Sequence, residues 1–384
     1  QNDYVRGDKT GDIAESYDFF RYGVKADIND TFSVGILYDE PFGAAAEYTQ
    51  SNFVASDSLA ESFGELAADG VDPQTAGAVA TAEATAAGEN TNVEVRSQSL
   101  TGMLGMKFGA NKNFQVYGGP VAQRIQAETK LRGLAYGPAS GYTSTSNPDM
   151  DYGYIAGIAY YKPEIALKAA LTYRSEIDHD TQISEYYPLA GIRTEAGALQ
   201  QGATAEQAAA LRVAAENRNS KYEISTPKSV NFDFQTGINP TTLATAKVRW
   251  VPWSDFVITP PLYNDTSKIS YGPDGLNLVE YKDDQWMVEL GLAKRVAPAL
   301  AISGTVGWDS GAGNPTTSLG PVEGYYSVGL GAKYNVTENW AVSVGGKYLW
   351  FGDAQGQLPS DKIVADFEDN DGYIAGVKLS YQGK

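Results

Sequence analysis

The feature that most narrows what this chain can fold into is a strict two-residue alternation, repeated near its C-terminus. Within residues 324–334 one face carries Tyr326, Val328, Leu330, Ala332 and Tyr334, and the other carries Ser327, Gly329, Gly331 and Lys333. The pattern returns with Trp340, Val342, Val344, Tyr348 and Trp350 against Ser343, Gly345 and Lys347. It returns again with Tyr373, Ala375, Val377, Leu379 and Tyr381 against Gly376, Lys378 and Ser380. One alternating strand suits any half-buried sheet, but a succession of them is a stronger signal. Here the apolar face begins and ends in Tyr or Trp, as interfacial girdles do, while the opposite face of Gly, Ser and Lys suits a hydrated lumen. The expected fold is all-β: a transmembrane antiparallel β-barrel of the bacterial outer membrane.

Composition agrees. The chain has 384 residues with Gly 41, Tyr 25 and Trp 6 beside only Phe 13 and Met 4, and its mean hydropathy of −0.31 is mildly polar. A soluble sandwich of this length needs denser apolar runs to fill a core, whereas a membrane barrel presents apolar residues to lipid at alternate positions only. No window approaches the ~18 apolar residues of a spanning helix, which excludes an inner-membrane helical bundle and leaves a barrel open. A net charge of −18 argues against a nucleic-acid partner, because phosphate binding needs a basic face. The absence of cysteine fits an oxidising envelope compartment and equally a cytosolic one.

Thirteen segments alternate: 17–28, 31–48, 93–109, 113–132, 151–161, 165–180, 221–236, 242–257, 285–295, 299–309, 323–334, 339–352 and 372–382. Short connections at 29–30, 111–112, 162–164, 237–241, 296–298 and 335–339 alternate with long ones at 49–92, 133–150, 181–220, 258–284, 310–322 and 353–371. Short periplasmic turns opposite long extracellular loops is the barrel pattern. Single-chain bacterial barrels have an even strand number, and the first segment runs from the long-loop side inward. Residues 1–15, polar and rich in Gly and Asp, therefore read as an outer loop following an unseen strand. The expectation is one barrel domain over 1–384, fourteen-stranded when intact, its first strand absent from this sequence. No signal peptide is visible at Gln1, so the chain reads as processed or truncated.

Two long loops carry helix signals. Ser58-Leu-Ala-Glu61 fits a capping box leading to Leu59, Phe63 and Leu66, and Thr204-Ala-Glu-Gln207 fits another leading into the Ala-rich run 208–216. Residues 67–90, dominated by Ala, Thr and Gly, read as a low-complexity loop. Chemistry-bearing motifs are scarce. His179, the one histidine, lies between Asp178 and Asp180 and reads as a solvated loop residue, with no nucleophile motif to make a triad. One histidine and no cysteine make zinc or haem sites improbable. The spacing within 366–372 does not fit an EF-hand, which leaves loose calcium or lipopolysaccharide contact there. No catalytic residue, metal or cofactor is expected, and the chain is not read as an enzyme.

Three segments resemble the FadL-type long-chain fatty-acid transporters of the outer membrane. They are Val34-Gly-Ile-Leu-Tyr-Asp-Glu-Pro-Phe-Gly43 resumed at Ala44-Ala-Ala-Glu-Tyr48; Ala170-Leu-Thr-Tyr-Arg-Ser-Glu176; and Thr226-Pro-Lys-Ser-Val230 leading to Lys247-Val-Arg-Trp-Val-Pro-Trp-Ser-Asp255. The resemblance implies fourteen strands, an N-terminal hatch in the lumen, and a kinked third strand that opens the wall so that a hydrophobic ligand leaves sideways into the membrane. On that resemblance, the hatch and the first strand are expected to lie outside this sequence. The kink falls on Pro41, Phe42 and Gly43. Physics supports a break there: Pro lacks a ladder donor, Gly weakens a strand, and the freed backbone groups survive in a membrane only where protein or water serves them. A simple bulge near the rim reads equally well from the residues alone.

Leu59, Phe63, Leu211 and Val213 are candidates for a first docking groove for the acyl chain, with self-packing of the loops as the alternative. Lys130 and Arg132 are candidates for its carboxylate, because family members place a basic group nearby. Arg21, Lys25, Asp27, Asp39, Lys247, Arg249, Glu289, Lys333, Lys347 and Lys378 face the lumen and are expected mostly to pair with one another. The partners implied are a long-chain fatty acid or similar hydrophobic molecule, outer-membrane lipid and lipopolysaccharide, around a monomeric chain. Other readings are an uptake channel for aromatic or alkane hydrocarbons, a general diffusion porin, or a surface-binding protein with no flux. Without a nucleotide-binding motif, passage runs down a gradient.

Overall fold

Residues that alternate in the sequence pair strand by strand in space. The computed structural model describes residues 19–48, 59–85 and 89–383. Its main sheet has seventeen strands: β1 (Tyr22–Asp27), β2 (Phe32–Asp39), β3 (Gly43–Glu47), β4 (Asn92–Phe108), β5 (Phe114–Lys130), β6 (Thr143–Ser146), β7 (Asp149–Lys162), β8 (Leu167–Arg174), β9 (Ile177–Tyr186), β10 (Asn217–Thr226), β11 (Ser229–Asn239), β12 (Thr242–Val251), β13 (Gln285–Ala297), β14 (Leu300–Asp309), β15 (Tyr325–Asn335), β16 (Trp340–Phe351) and β17 (Asp371–Tyr381). Every pairing in this sheet is antiparallel. β2–β3, β6–β7, β8–β9 and β10–β11 each form one interrupted stave, so the wall consists of thirteen staves from β1 to β17. Among the described residues, β1 and β17 are its two edges.

The faces of this wall are opposite in character. Outward positions expose large apolar side chains in unbroken succession: Leu330 is 75% exposed, Val377 78% and Tyr373 82%, with Leu290, Ile302 and Val306 alongside. An apolar belt of that extent is tolerated only against lipid. The inward positions of the same strands are Gly, Ser, Thr and charged residues. Tyr and Trp mark the limits of the belt, where Trp340 packs on Tyr381 and Tyr348 on Trp350. No helix among the described residues is long and apolar enough to cross a membrane.

The long connections fold together on one side. They supply α1 (Leu59–Ala68), α2 (Pro73–Thr85), α3 (Pro188–Gln200), α4 (Ala205–Glu216) and α5 (Pro261–Tyr271). The apolar faces of α1, α2, α3 and α5 join a core that includes Tyr48, Leu66, Val79, Tyr136, Tyr142, Tyr187, Leu189, Leu262, Tyr263, Leu319 and Phe367. The Tyr142, Tyr187 and Tyr263 rings contact one another at 5.1–5.8 Å. Glu185, buried on β9, binds this core: its carboxylate accepts from Tyr142 Oη at 2.7 Å and from the Leu262 and Tyr263 N–H groups at 2.8 and 3.1 Å. The last two are orphan donors of the first turn of α5, so a strand carboxylate caps a distant helix.

The Thr204 capping box is present, with Thr204 Oγ1 accepting from the Gln207 N–H at 3.2 Å and Gln207 Oε1 accepting from the Thr204 N–H at 3.0 Å. Ser58 and residues 1–15 lie outside the described residues. The low-complexity expectation for 67–90 is corrected, because α2 occupies Pro73–Thr85 and buries Ala76, Val79 and Ala80. Asp72 Oδ1 accepts from the Thr75 N–H at 2.9 Å and Pro73 follows as the first helical residue, so Asp-Pro starts a helix whose alanines then sustain it. Strand pairs β8–β9 and β10–β11 also run beyond the expected 165–180 and 221–236 into the extracellular layer.

Candidate functional site

The β2–β3 stave breaks where Pro and Gly place the break. β2 pairs with β4 up to Asp39 opposite Ser99, and β3 resumes with Gly43 opposite Arg96. Three residues, Glu40, Pro41 and Phe42, thus face two, Ser97 and Gln98: a one-residue bulge. The inward face changes phase as such an insertion requires, with Ser33 buried on β2 but Ala46 and Tyr48 buried beyond the bulge. On the other side, β1 pairs with β2 only as far as Tyr22 opposite Tyr38. The backbone freed at the bulge is served by protein, since Ser97 Oγ accepts from the Phe42 N–H and donates to the Phe42 carbonyl, both at 2.7 Å. Phe42 itself packs edge-on against Trp253.

A buried polar network starts at this bulge and crosses the lumen. Asp39 lies 3.6 Å from Arg174 Nη1. Arg174 Nη2 donates to Ser99 Oγ at 2.9 Å and to Gln123 Oε1 at 3.3 Å. Gln123 Nε2 donates to Thr226 Oγ1 and to His179 Nε2, each at 3.0 Å, and His179 Nδ1 reaches Asp149 Oδ2 at 3.1 Å. His179 is therefore not the solvated loop residue expected from its acidic neighbours but is fully buried. Alternation explains the difference: on β9 the odd residues 177, 179, 181, 183 and 185 point inward while Asp178 and Asp180 point out. A histidine between two aspartates reads as exposed unless neighbours along a strand are assigned to opposite faces. Asp149, Asp151 and His179 bring three ligand-type atoms within 4.8 Å of one another.

Among the lumenal charges, Lys347 pairs with Glu289 and Arg174 with Asp39. Arg249 sits in the field of Asp39 and Asp309, near Arg174, and its buried Nε has no hydrogen-bond partner. The docking candidates Leu59, Phe63, Leu211 and Val213 lie on two helices. Leu59 begins α1; Phe63 is partly exposed on the same helix; Leu211 and Val213 are exposed on α4. Lys130 lies 3.9 Å from Glu128. Arg132 is buried with its guanidinium N–H groups directed at Glu89, Thr143 and the carbonyls of Leu131 and Tyr142, which ties the 131–143 segment to the rim. Ser97, Gln123, Arg174 and His179 carry the geometry and had no role from sequence. Their signal was the inward phase of long strands, combined with pairing that only the fold supplies.

Comparison with known proteins gives the same architecture. The model of the outer membrane protein transport protein family (OMPP1/FadL/TodX) matches residues 8–382. No curated protein matches the sequence. Among solved structures, a Pseudomonas aeruginosa FadL homologue superposes with a TM-score of 0.63 at 15% identity, covering 94% of this chain and 77% of its own. The Pseudomonas putida toluene transporter TodX superposes with a TM-score of 0.53 at 10% identity, covering 96% of this chain and 83% of its own.

Proposed function

Since the chain belongs to the outer membrane protein transport family that includes FadL and TodX, we propose that it admits long-chain fatty acids or similar hydrophobic molecules passively and releases them sideways through the bulged β2–β3 stave. The observation that carries this is the bulge at 40–42 opposite Ser97 and Gln98, with Ser97 serving both backbone groups of Phe42. A wall that merely needed to be continuous would keep its ladder, because each unpaired backbone group facing lipid costs several kcal/mol. A ligand with a long acyl tail gains about 0.8 kcal/mol for each CH₂ taken from water, so lateral transfer into lipid is downhill without an energy source.

Arg249 favours a carboxylate-bearing ligand: its buried Nε has no hydrogen-bond partner, although Asp309 and Asp39 lie in its field and Arg174 stands nearby. A monoaromatic hydrocarbon is the second reading, favoured by the fold shared with the toluene transporter TodX. We also take the barrel to be completed from outside the described residues. β1 and β17 both run from the long-loop side to the short-turn side, so an antiparallel wall closes between them only through a strand of opposite direction.

The test is uptake of labelled oleate and of labelled toluene by cells lacking their own transporter, with Pro41, Phe42 and Gly43 intact or replaced. Oleate uptake that the replacements abolish, and that Arg249→Met lowers while leaving toluene uptake unchanged, is the expected result. Toluene uptake alone supports the hydrocarbon reading, and no uptake by a folded surface-exposed barrel overturns both.

A further inference from the structure

Between β7 and β9 the wall loses its ladder, and the reason is a mismatch of phase. β7 pairs with β8 up to Ile155 opposite Arg174, and β6 pairs with β9 from Ser146 opposite Ile183. The edges of the intervening stretch are closed by the Ser175 N–H on the Tyr154 carbonyl and the Asn147 N–H on the Gln182 carbonyl. Across that stretch β9 points its odd residues inward, and so does β7. In the continuing register an odd residue of β9 stands opposite an even residue of β7, so inward positions face outward ones and a regular ladder cannot form. Side chains fill in: Ser175 Oγ accepts from the Tyr154 N–H at 2.9 Å, Asp151 from the Asp180 N–H at 3.2 Å, and Thr181 Oγ1 donates to the Asn147 carbonyl at 2.7 Å.

The same mismatch sets His179 of β9 diagonally between Asp149 and Asp151 of β7, all three on the inward side, with ligand atoms within 4.8 Å. We propose that these three residues bind a divalent transition-metal ion of the Zn²⁺ type, which joins β7 to β9 across the open stretch of wall.

Two carboxylates balance the charge of a divalent ion. The imidazole selects Zn²⁺ and its neighbours over Ca²⁺ and Mg²⁺, which prefer all-oxygen sites. Ligands about 2.0–2.2 Å from the ion lie roughly 3–4 Å from one another, so side-chain rotation alone brings these atoms into range. The ring is already oriented from behind. Gln123, itself held by Ser99, Thr226 and Arg174, meets Nε2, leaving Nδ1 directed at Asp149. Orientation of a ligand histidine by a hydrogen bond to its second nitrogen is the usual arrangement in metal sites. In the metal-free ring Nδ1 donates to Asp149 and Nε2 accepts from Gln123. When Nδ1 gives its lone pair to the ion, the one ring proton moves to Nε2 and Gln123 turns its amide oxygen to accept it, giving up the bond from Arg174. Asp149 is partly exposed, which leaves the site open to an ion from solvent.

The test uses the full chain in detergent, stripped with EDTA and dialysed against micromolar ZnCl₂, with bound metal measured by elemental analysis. Folding is monitored by heat-dependent migration on gels. The expected result is one Zn²⁺ per chain, a higher melting temperature with the metal, and affinity lowered about 100-fold or more in Asp151→Asn and in His179→Gln. His179→Gln disturbs a buried network, but Asp151→Asn keeps an amide oxygen for the Asp180 N–H and so isolates loss of the ligand. A folded wild-type chain that retains no stoichiometric Zn²⁺, an unchanged affinity in Asp151→Asn, or displacement of the Zn²⁺ by equimolar CaCl₂ would each overturn the proposal.

Discussion

Deleting Pro41 should seal the β2–β3 stave without unfolding the barrel. Asp39 opposite Ser99 and Gly43 opposite Arg96 differ in register by the one extra residue among 40–42. With Pro41 removed, Glu40 falls opposite Gln98 and Phe42 opposite Ser97, and β2 and β3 become one strand in a single register with β4. The inward face beyond the bulge is unchanged, since Ala46 and Tyr48 already occupy the phase that an uninterrupted strand would give them. Two hydrogen bonds to Ser97 are lost and up to two ladder bonds form, each worth about 0.5–1.5 kcal/mol net. Stability should therefore move by no more than about 1–2 kcal/mol. The assay is oleate uptake normalised to folded surface protein, beside urea unfolding in lipid vesicles. A folded deletion variant whose uptake has fallen to background supports lateral release through this bulge. A folded variant that transports like wild type would refute the reasoning, because the ligand would then have another exit.

Three further substitutions probe the wall and its cap. Ser97→Ala leaves the Phe42 N–H and carbonyl without their partner, and unfolding in vesicles should show a loss of about 2–4 kcal/mol if the bulge is dry; a loss of only a few tenths would mean that water serves these groups. Glu185→Ala removes the acceptor shared by Tyr142 and the first turn of α5, with an expected cost of about 3 kcal/mol and faster hydrogen exchange of the Leu262 and Tyr263 amides; unchanged exchange would sink the capping role. Asp265 has its carboxyl held below the usual range, first by the hydrogen bond from Arg218 and then by that from Lys268. A depressed carboxylate stabilises above its ordinary titration range, and that contribution is lost as pH falls through the folded-state value. Asp265→Asn should thus remove about 0.2–1 kcal/mol near neutral pH and nothing in strong acid, which melting curves across the acid range would check.

How much of this was legible in the sequence depended on which interactions were local. The alternation in β15, β16 and β17 is visible because lipid and lumen impose opposite chemistry on neighbouring residues, and one residue suffices to show each. The break at Pro41 is visible because Pro and Gly carry their backbone constraints with them, wherever the chain takes them. The capping box at Thr204 is local in the same sense. By contrast, Ser97 is an ordinary inward serine until β4 sets it against Phe42, 55 positions away. His179 looked exposed because its chain neighbours are acidic, but a strand sends neighbours to opposite faces. The helix α2 was obscured by composition, since an Ala/Thr/Gly run reads as filler unless Asp72 and Pro73 are weighed as a start signal.

The wall departs from regularity by one device used several times. A break that inverts the phase of a strand has a cost that depends on whether the neighbour inverts with it. β8–β9 and β10–β11 change phase together: Arg174 opposite Ser229 and Ile177 opposite Thr226 keep one register across the break, so their ladders resume. β2–β3 changes phase against a β4 that does not, and Ser97 has to serve the backbone of the extra residue. β7 keeps its phase while β9 beside it has changed, and there the ladder is missing until β6 restores the match. The two places where neighbouring staves disagree are also the two ends of the buried chain from Asp39 through Arg174 and Gln123 to His179. A perturbation that alters the wall at one end therefore has a polar route to the other, an ion pair followed by hydrogen bonds. The arrangement of side chains between the two breaks follows from strand phase rather than from any one residue's preference.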